Sequence, residues 1–312
     1  MIRSRGTAVA AALLLAALAA AGCGLGPGEE VGSVELTVTR EFGSQPMVRS
    51  SVEVTESDTV MRVLEGEAEI ETRYGGGFVK SIEGFTEGRR DGHPYDWFFF
   101  VNGVESPIGA ADVDLQGGER IWWDYRDWEA TNRVPAVVGS WPAPFTTGYE
   151  GRAHPVAVVC AGGGGACTDV EAALEDEGVK LASGTPDGAI RVLVGPWSQV
   201  RTDPAAALIE DGPEESGVYA DFERQAGGVG SAGAFSLVAL DVNGDPASDL
   251  GPDAGLVAAT RRYEAPPVWV VTGGTPAAVQ AAAELLEPKL LRDYFAVAIA
   301  GQLIYPLPPE HP

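Results

Sequence analysis

Basic side chains are scarce in this chain of 312 residues: 21 Lys and Arg stand against 45 Asp and Glu, a formal charge of −24. A surplus of that sign repels nucleic acid and anionic membrane faces, so neither is expected as a partner, and solubility is its plain consequence. Histidine is scarcer still, at positions 93, 154 and 311 only. No His-Glu-x-x-His pair, no Cys-His couple at informative spacing and no Gly-x-Ser-x-Gly elbow occurs, so neither a metal site nor an enzyme is expected. Carboxylates are plentiful, but no motif singles out any of them for catalysis. Cysteine is limited to Cys23, Cys160 and Cys167. Long apolar runs are missing too: residues 8–21, rich in Ala and Leu, are too short for a spanning helix.

That short run follows Arg3 and Arg5 and breaks at Gly22-Cys23-Gly24. A charged front, an apolar middle and a small-residue end are the pattern of a secretory signal, so export is expected. Leu18-Ala19-Ala20-Ala21-Gly22-Cys23 resembles the lipobox of bacterial lipoproteins, with Ala20 where Leu is usual. The resemblance implies that residues 1–22 are removed, that the Cys23 thiol carries a diacylglycerol, and that the protein is anchored on the outer face of the cell membrane. A secreted protein with a chance cysteine is the other reading. Residues 23–32, rich in Gly and Pro, then serve as a tether.

The remainder suits two domains, each able to bury a core. In the first, residues 33–130, SVELTVT alternates cleanly and residues 47–54 less so, giving two strands. After Asp58, Val60, Val63 and Leu64 share one helical face, and Gly66 is the expected stop. Next come TRYGGGFVKSI, DWFFFVNGVE and ERIWWDYRDW, whose aromatic and β-branched content predicts strands, with Asn102-Gly103 as a tight hairpin turn. Strands and one helix make an α+β domain, its sheet covered by the helix on one face. Both faces of the aromatic strands are large, so the second face is expected either to be an exposed interaction surface or to be packed by the second domain or the segment 134–145.

The order TVMRVLE, ETRYGGGFVKSIEGF, then YDWFFFVNGVESPIGAADVDLQGGERIWWDY is similar to the C-terminal β-domain of transcobalamin and intrinsic factor and its bacterial relatives of unknown function. The similarity runs over roughly residues 33–128, about a third of the chain. It implies a β-grasp, ubiquitin-like fold, and a corrinoid such as cobalamin as ligand, captured for delivery to a membrane permease. The helical barrel of the vertebrate carriers has no counterpart here, and where they place Trp-Gly followed by aliphatic residues this chain has Gly75-Gly76-Gly77-Phe78. A glycine run in a strand lets a flat ligand approach the backbone, or alternatively marks a β-bulge. The expected ligand-binding residues are therefore Tyr74, Gly75, Gly76, Gly77 and Phe78, with Trp97 and Trp123 as aromatic edges; Arg73 flanks them. The alternative function is a cell-envelope module that binds protein or polysaccharide through its aromatic face.

Residues 131–153 read as a linker or interface segment, and residues 154–312 as a second domain, α/β or α+β. There PVAVVCA, residues 190–194 and PVWVVTGG predict strands, each followed by a helix signal: Thr168 with Glu171 as a capping box, Asp203 before Pro204 with Gly212 as stop, and Thr275 before Pro276. FSLVALD turning at Asn243-Gly244 adds a hairpin. The string Gly228-Val-Gly230-Ser-Ala-Gly233 precedes a strand, the reverse of a dinucleotide site, and Pro246 occupies the glycine position of a calcium loop begun at Asp241. Cys160 and Cys167 flank a loop of glycine and alanine in an exported domain and are expected to form a disulfide, the other readings being two free thiols or a metal pair.

Overall fold

The structure is a computed structural model that describes residues 28–162, 164–225 and 235–309. The leader, Cys23 and the 228–233 glycine string lie outside the described residues. Strand β1 (Glu30–Arg40) turns back into β2 (Gln45–Thr55). The helix α1 (Val60–Glu67) follows, with Thr59 as N-cap accepting from the Arg62 amide at 3.3 Å. Gly66 does not stop it; the helix runs one residue further, and Asp58 instead accepts from the Thr55 amide and hydroxyl. Short strands β3 (Ile70–Arg73), β4 (Phe78–Ile82), β5 (Phe85–Thr86) and β6 (Gly88–Arg90) precede the aromatic pair, β7 (His93–Val101) with β8 (Val104–Glu105), and β9 (Arg120–Asp127). The principal sheet has the order β2-β1-β9-β7-β6, with β8 beside β7. β1 and β9 are parallel, and their pairing of Val38 with Trp123 is bridged by a chain of over eighty intervening residues. The remaining neighbours are antiparallel.

Period-two alternation splits the aromatic strands between two cores. Trp97, Trp123 and Tyr125 pack on one face with Val60, Val63 and Leu64 of α1. Phe100 and Trp122 point the other way, into a core shared with the second half of the chain. Phe295 stands edge-on to Phe42, Phe100 and Trp122 at ring distances of 5.3, 5.7 and 5.1 Å, and Tyr219 is edge-on to Phe42 at 5.1 Å. The aromatic face is thus covered, by the second of the two arrangements the sequence allows. The closeness of the contact is written in two glycines. A Cβ on Gly43, at φ +88°, would fall 1.8 Å from the Asp293 carbonyl oxygen, and one on Gly139 would meet the Trp122 ring at 2.7 Å.

The second half contains β10 (Val156–Cys160), α2 (Gly165–Asp176), β11 (Ile190–Pro196), the hairpin set β12 (Ala220–Arg224), β13 (Phe235–Leu240) and β14 (Pro246–Gly251), then β15 (Gly255–Thr260), β16 (Val268–Gly273), α3 (Pro276–Ala283), β17 (Ala296–Ala300) and β18 (Leu303–Leu307). Its main sheet runs β10-β11-β16-β15-β17-β18, parallel over the first three strands and antiparallel after, so the chain as a whole is a mixed α+β structure dominated by sheet. Helices α2 and α3 cover the face that bears Val192, Val257 and Trp269. Thr275 caps α3 as expected. Thr168 does not cap α2: the glycine loop ends earlier, at Gly164, and Thr168 lies within the first turn. Asp203 accepts from the Ala205 amide and pairs with Arg191, opening a 3-10 turn instead of an α-helix, and Gly212 ends it. Cys160 and Cys167 form a disulfide with Cα atoms 5.9 Å apart, joining the end of β10 to the start of α2. The segment 131–153 is not a free linker, since Val134, Val137, Val138, Trp141 and Phe145 are all buried. Among the described residues no helix is long and apolar enough to cross a membrane.

Candidate functional site

One cleft of about 530 Å³ stands out, and it forms where the turn after β7 meets residues 147–151 of the connecting segment. Asn102 and Gly103 take the positive φ angles of a tight turn, 52° and 76°, as the Asn-Gly pair predicts. The turn then does a second thing. Asn102 is buried, its amide oxygen accepts from the Arg120 amide at 2.8 Å, and its Nδ2 donates to the Gly148 carbonyl at 2.7 Å. Gln116 Nε2 donates to the Gly151 carbonyl at 3.0 Å, and Thr147 Oγ1 to the Gly118 carbonyl at 3.3 Å. Three side chains thereby lash the 147–151 turn over the end of the first sheet, and the hollow between them is the cleft.

Five carboxylates stand in its wall, Glu105, Asp112, Asp114, Glu119 and Glu150, and no Lys, Arg or His lines it. Glu150 is neutralised from behind by the buried Arg261 at 2.8 Å. The other four lie in no salt bridge among the described residues. Glu119 is only 5 % exposed; its Oε1 accepts from the Gln116 amide at 2.9 Å and its Oε2 has no partner. Glu105 Oε2 is likewise buried and unpartnered, and burial pushes the Glu105 carboxyl up to about 7 against the pull of Arg126 and Arg133. Val104, Pro107, Ile108 and Val113 supply the apolar part of the wall. Among the described residues no three His, Cys, Asp or Glu side chains converge as metal ligands.

The glycine run lies beside this cleft and is not part of a strand. Arg73 pairs with Phe78 in the β3–β4 hairpin, so Tyr74, Gly75, Gly76 and Gly77 form its loop, with φ of 52°, 73° and 98° at the first three. The loop touches the cleft's outer wall, since the Gly77 carbonyl oxygen is 3.3 Å from the position of a Cβ on Gly109, next to Ile108. Tyr74 is 86 % exposed and edge-on to Phe78 at 6.4 Å, and Ile108 is also exposed. Ile108 is the apolar lip of the cleft, and the Tyr74–Phe78 pair stands on the adjoining hairpin loop. Trp97 and Trp123 do not join it: Trp97 donates to the Phe85 carbonyl at 2.8 Å, Trp123 stacks on Phe99 at 4.7 Å, and both are buried under α1. The structure brings Tyr74 to Phe78 together and leaves the two tryptophans in the core. Glu105, Glu119, Asn102 and the 147–151 turn carry no motif; only the Asn-Gly pair gave a signal, and it read as a turn.

Residues 57–127 match a family model. Its description is a domain of unknown function (DUF4430). The matched stretch contains α1, both aromatic strands, the glycine hairpin and most of the cleft wall, but not the 147–151 turn that closes it. None of the curated proteins compared matches the chain. Among solved structures, one from Ruminococcus gnavus, described as a "putative metal binding protein", is 17% identical and aligns over 31% of this chain and 98% of its own, with a TM-score of 0.24 that is too low to equate the two folds.

Proposed function

We propose that the protein binds a small ligand at the cleft between the Asn102-Gly103 turn and residues 147–151, with the Tyr74 to Phe78 hairpin adjoining its lip. The observation that supports this most directly is the cleft itself, which has the size of a small-molecule site and polar groups converging on an apolar wall. The β2-β1-β9-β7 order with a helix after β2 agrees with a β-grasp arrangement, and the sequence similarity to the transcobalamin β-domain names a corrinoid as the ligand class. A corrin ring is broad and nearly flat. It would lie across the rim, on the exposed glycine loop and the rings of Tyr74 and Phe78, with a peripheral arm reaching inward. Binding and release involve no chemistry in this reading, and lipid anchoring through Cys23 would hold the protein beside a permease.

Titration calorimetry and visible absorption of the full mature chain with cobalamin and cobinamide test the class. Saturable heat with a spectral shift is expected; silence with both at high micromolar ligand rejects the corrinoid. Gly77→Leu is the informative variant, because Gly77 has an ordinary φ of −81° and a Cβ there meets only the Tyr74 carbonyl oxygen, at an ordinary contact distance of 3.8 Å, whereas Gly76 at φ +98° would strain any side chain. Gly77→Leu should weaken binding at least about tenfold without loss of stability, since a bulky side chain would hold the ring off the loop. For the anchor, Cys23→Ser should move the protein from carbonate-washed membranes to the soluble fraction; retention on the membrane rejects lipidation.

A further inference from the structure

The charge of the cleft constrains its occupant more tightly than its size does. Asp112, Asp114 and Glu119, none of them in a salt bridge, face a hollow that no basic side chain lines, in a molecule already at −24, so an anionic group entering it meets net repulsion. The second observation is Glu119, 5 % exposed, whose Oε2 has no hydrogen-bond donor. A buried acceptor left open is costly, and a donor arriving with a ligand recovers that cost. The donor is not expected to be a bare metal ion, because no three ligating side chains converge among the described residues. Val104, Pro107, Ile108 and Val113 offer a path for methylenes between the lip and the acids.

From this we infer that the cleft recognises an alkylammonium group, its N–H donors directed at Glu119 and the neighbouring acids and its carbon chain laid along the apolar wall. The inference rests on the cleft being the ligand site and is independent of the corrinoid class.

The test is calorimetry of the full mature chain with a matched pair of probes, n-hexylammonium and hexanoate, at moderate salt. The cation should bind saturably at one site and the anion should not bind. Glu119→Gln, which keeps the acceptor for the Gln116 amide, should weaken the cation at least about tenfold, the range for losing a charge-assisted hydrogen bond. Asp114→Asn, at an exposed position, should weaken it in the same direction and guards against a folding defect in the first variant. Glu223→Gln, exposed on β12 in the second half of the chain, should leave it unchanged. Equal binding of cation and anion, unchanged affinity in both cleft variants, equal losses in Glu223→Gln, or tighter binding of calcium with displacement of the ammonium would each overturn the proposal. Cobinamide titrated into Glu119→Gln separates the two readings: undiminished corrinoid binding leaves the ligand class standing while the ammonium site falls.

Discussion

Glu105 shows how one side chain ties the site to the stability of the molecule. Its carboxyl is raised to about 7 by burial, while the unfolded chain returns it to the ordinary range near 4.5. The folded state therefore holds a proton that the unfolded state has lost, and the stability this group contributes is fully present below about pH 4.5 and disappears as pH rises through about 7. The size is at most about 3.5 kcal/mol, from about 1.4 kcal/mol per pH unit. Asp124, fully buried and raised to about 6, adds a loss of the same sign over a lower range, moderated by Thr39 and the Phe42 and Gly43 amides that donate to it. Urea midpoints should fall between pH 5 and pH 8, and Glu105→Gln should flatten the upper part of that fall. A midpoint that rises with pH in the parent, or an unchanged slope in the variant, contradicts the assignment. None of this was legible in the sequence, where Glu105 is one acid among 45 and its burial depends on residues 133–134 folding back over it.

At the scale of elements, what neighbouring residues decide is legible in the sequence. The Asn102-Gly103 turn, the Thr275 cap and the face of α1 follow from neighbours within four residues, and the Cys160 to Cys167 pairing follows from a loop only six residues long. The misreadings came from context. Three glycines between β-forming residues look like a run within a strand or a β-bulge, but the Arg73 to Phe78 register makes them a hairpin loop, and the capping box at Thr168 gives way to a helix capped four residues earlier, at Gly164. That disulfide restrains an eight-residue ring, for which chain entropy gives about 2.5 kcal/mol. Reduction should lower unfolding stability by an amount of that order and add two alkylation sites to the intact mass. If alkylation without prior reduction already labels Cys160 and Cys167, the bond is absent from the protein.

Across the whole molecule the sequence suggests two domains, yet Phe42, Phe100 and Trp122 of one share a core with Tyr219 and Phe295 of the other. Aromatic strands with two apolar faces announce that something covers the outer one; they do not say what, because the partner lies over a hundred residues away. Phe295→Ala empties the centre of that contact and should cost about 3–5 kcal/mol. The parent should unfold in one transition with tryptophan fluorescence and far-UV circular dichroism coincident, and the variant should separate them. Separate transitions in the parent would show that the shared core contributes little. A fragment ending before the second half of the chain would expose those rings.

The 147–151 turn has a bearing on how the protein matures. Its hydrogen bonds from Asn102, Gln116 and Thr147 complete the cleft, and it leads directly into β10, the first strand of the second half. Under the proposed export, a chain emerging through a channel would present the whole family-matched stretch, glycine hairpin included, before the turn that roofs the cleft had arrived and been held by the folded second sheet. Ligand capture would then be silent in every partly delivered or truncated form, and occupancy of the cleft would report that translocation and folding had both finished.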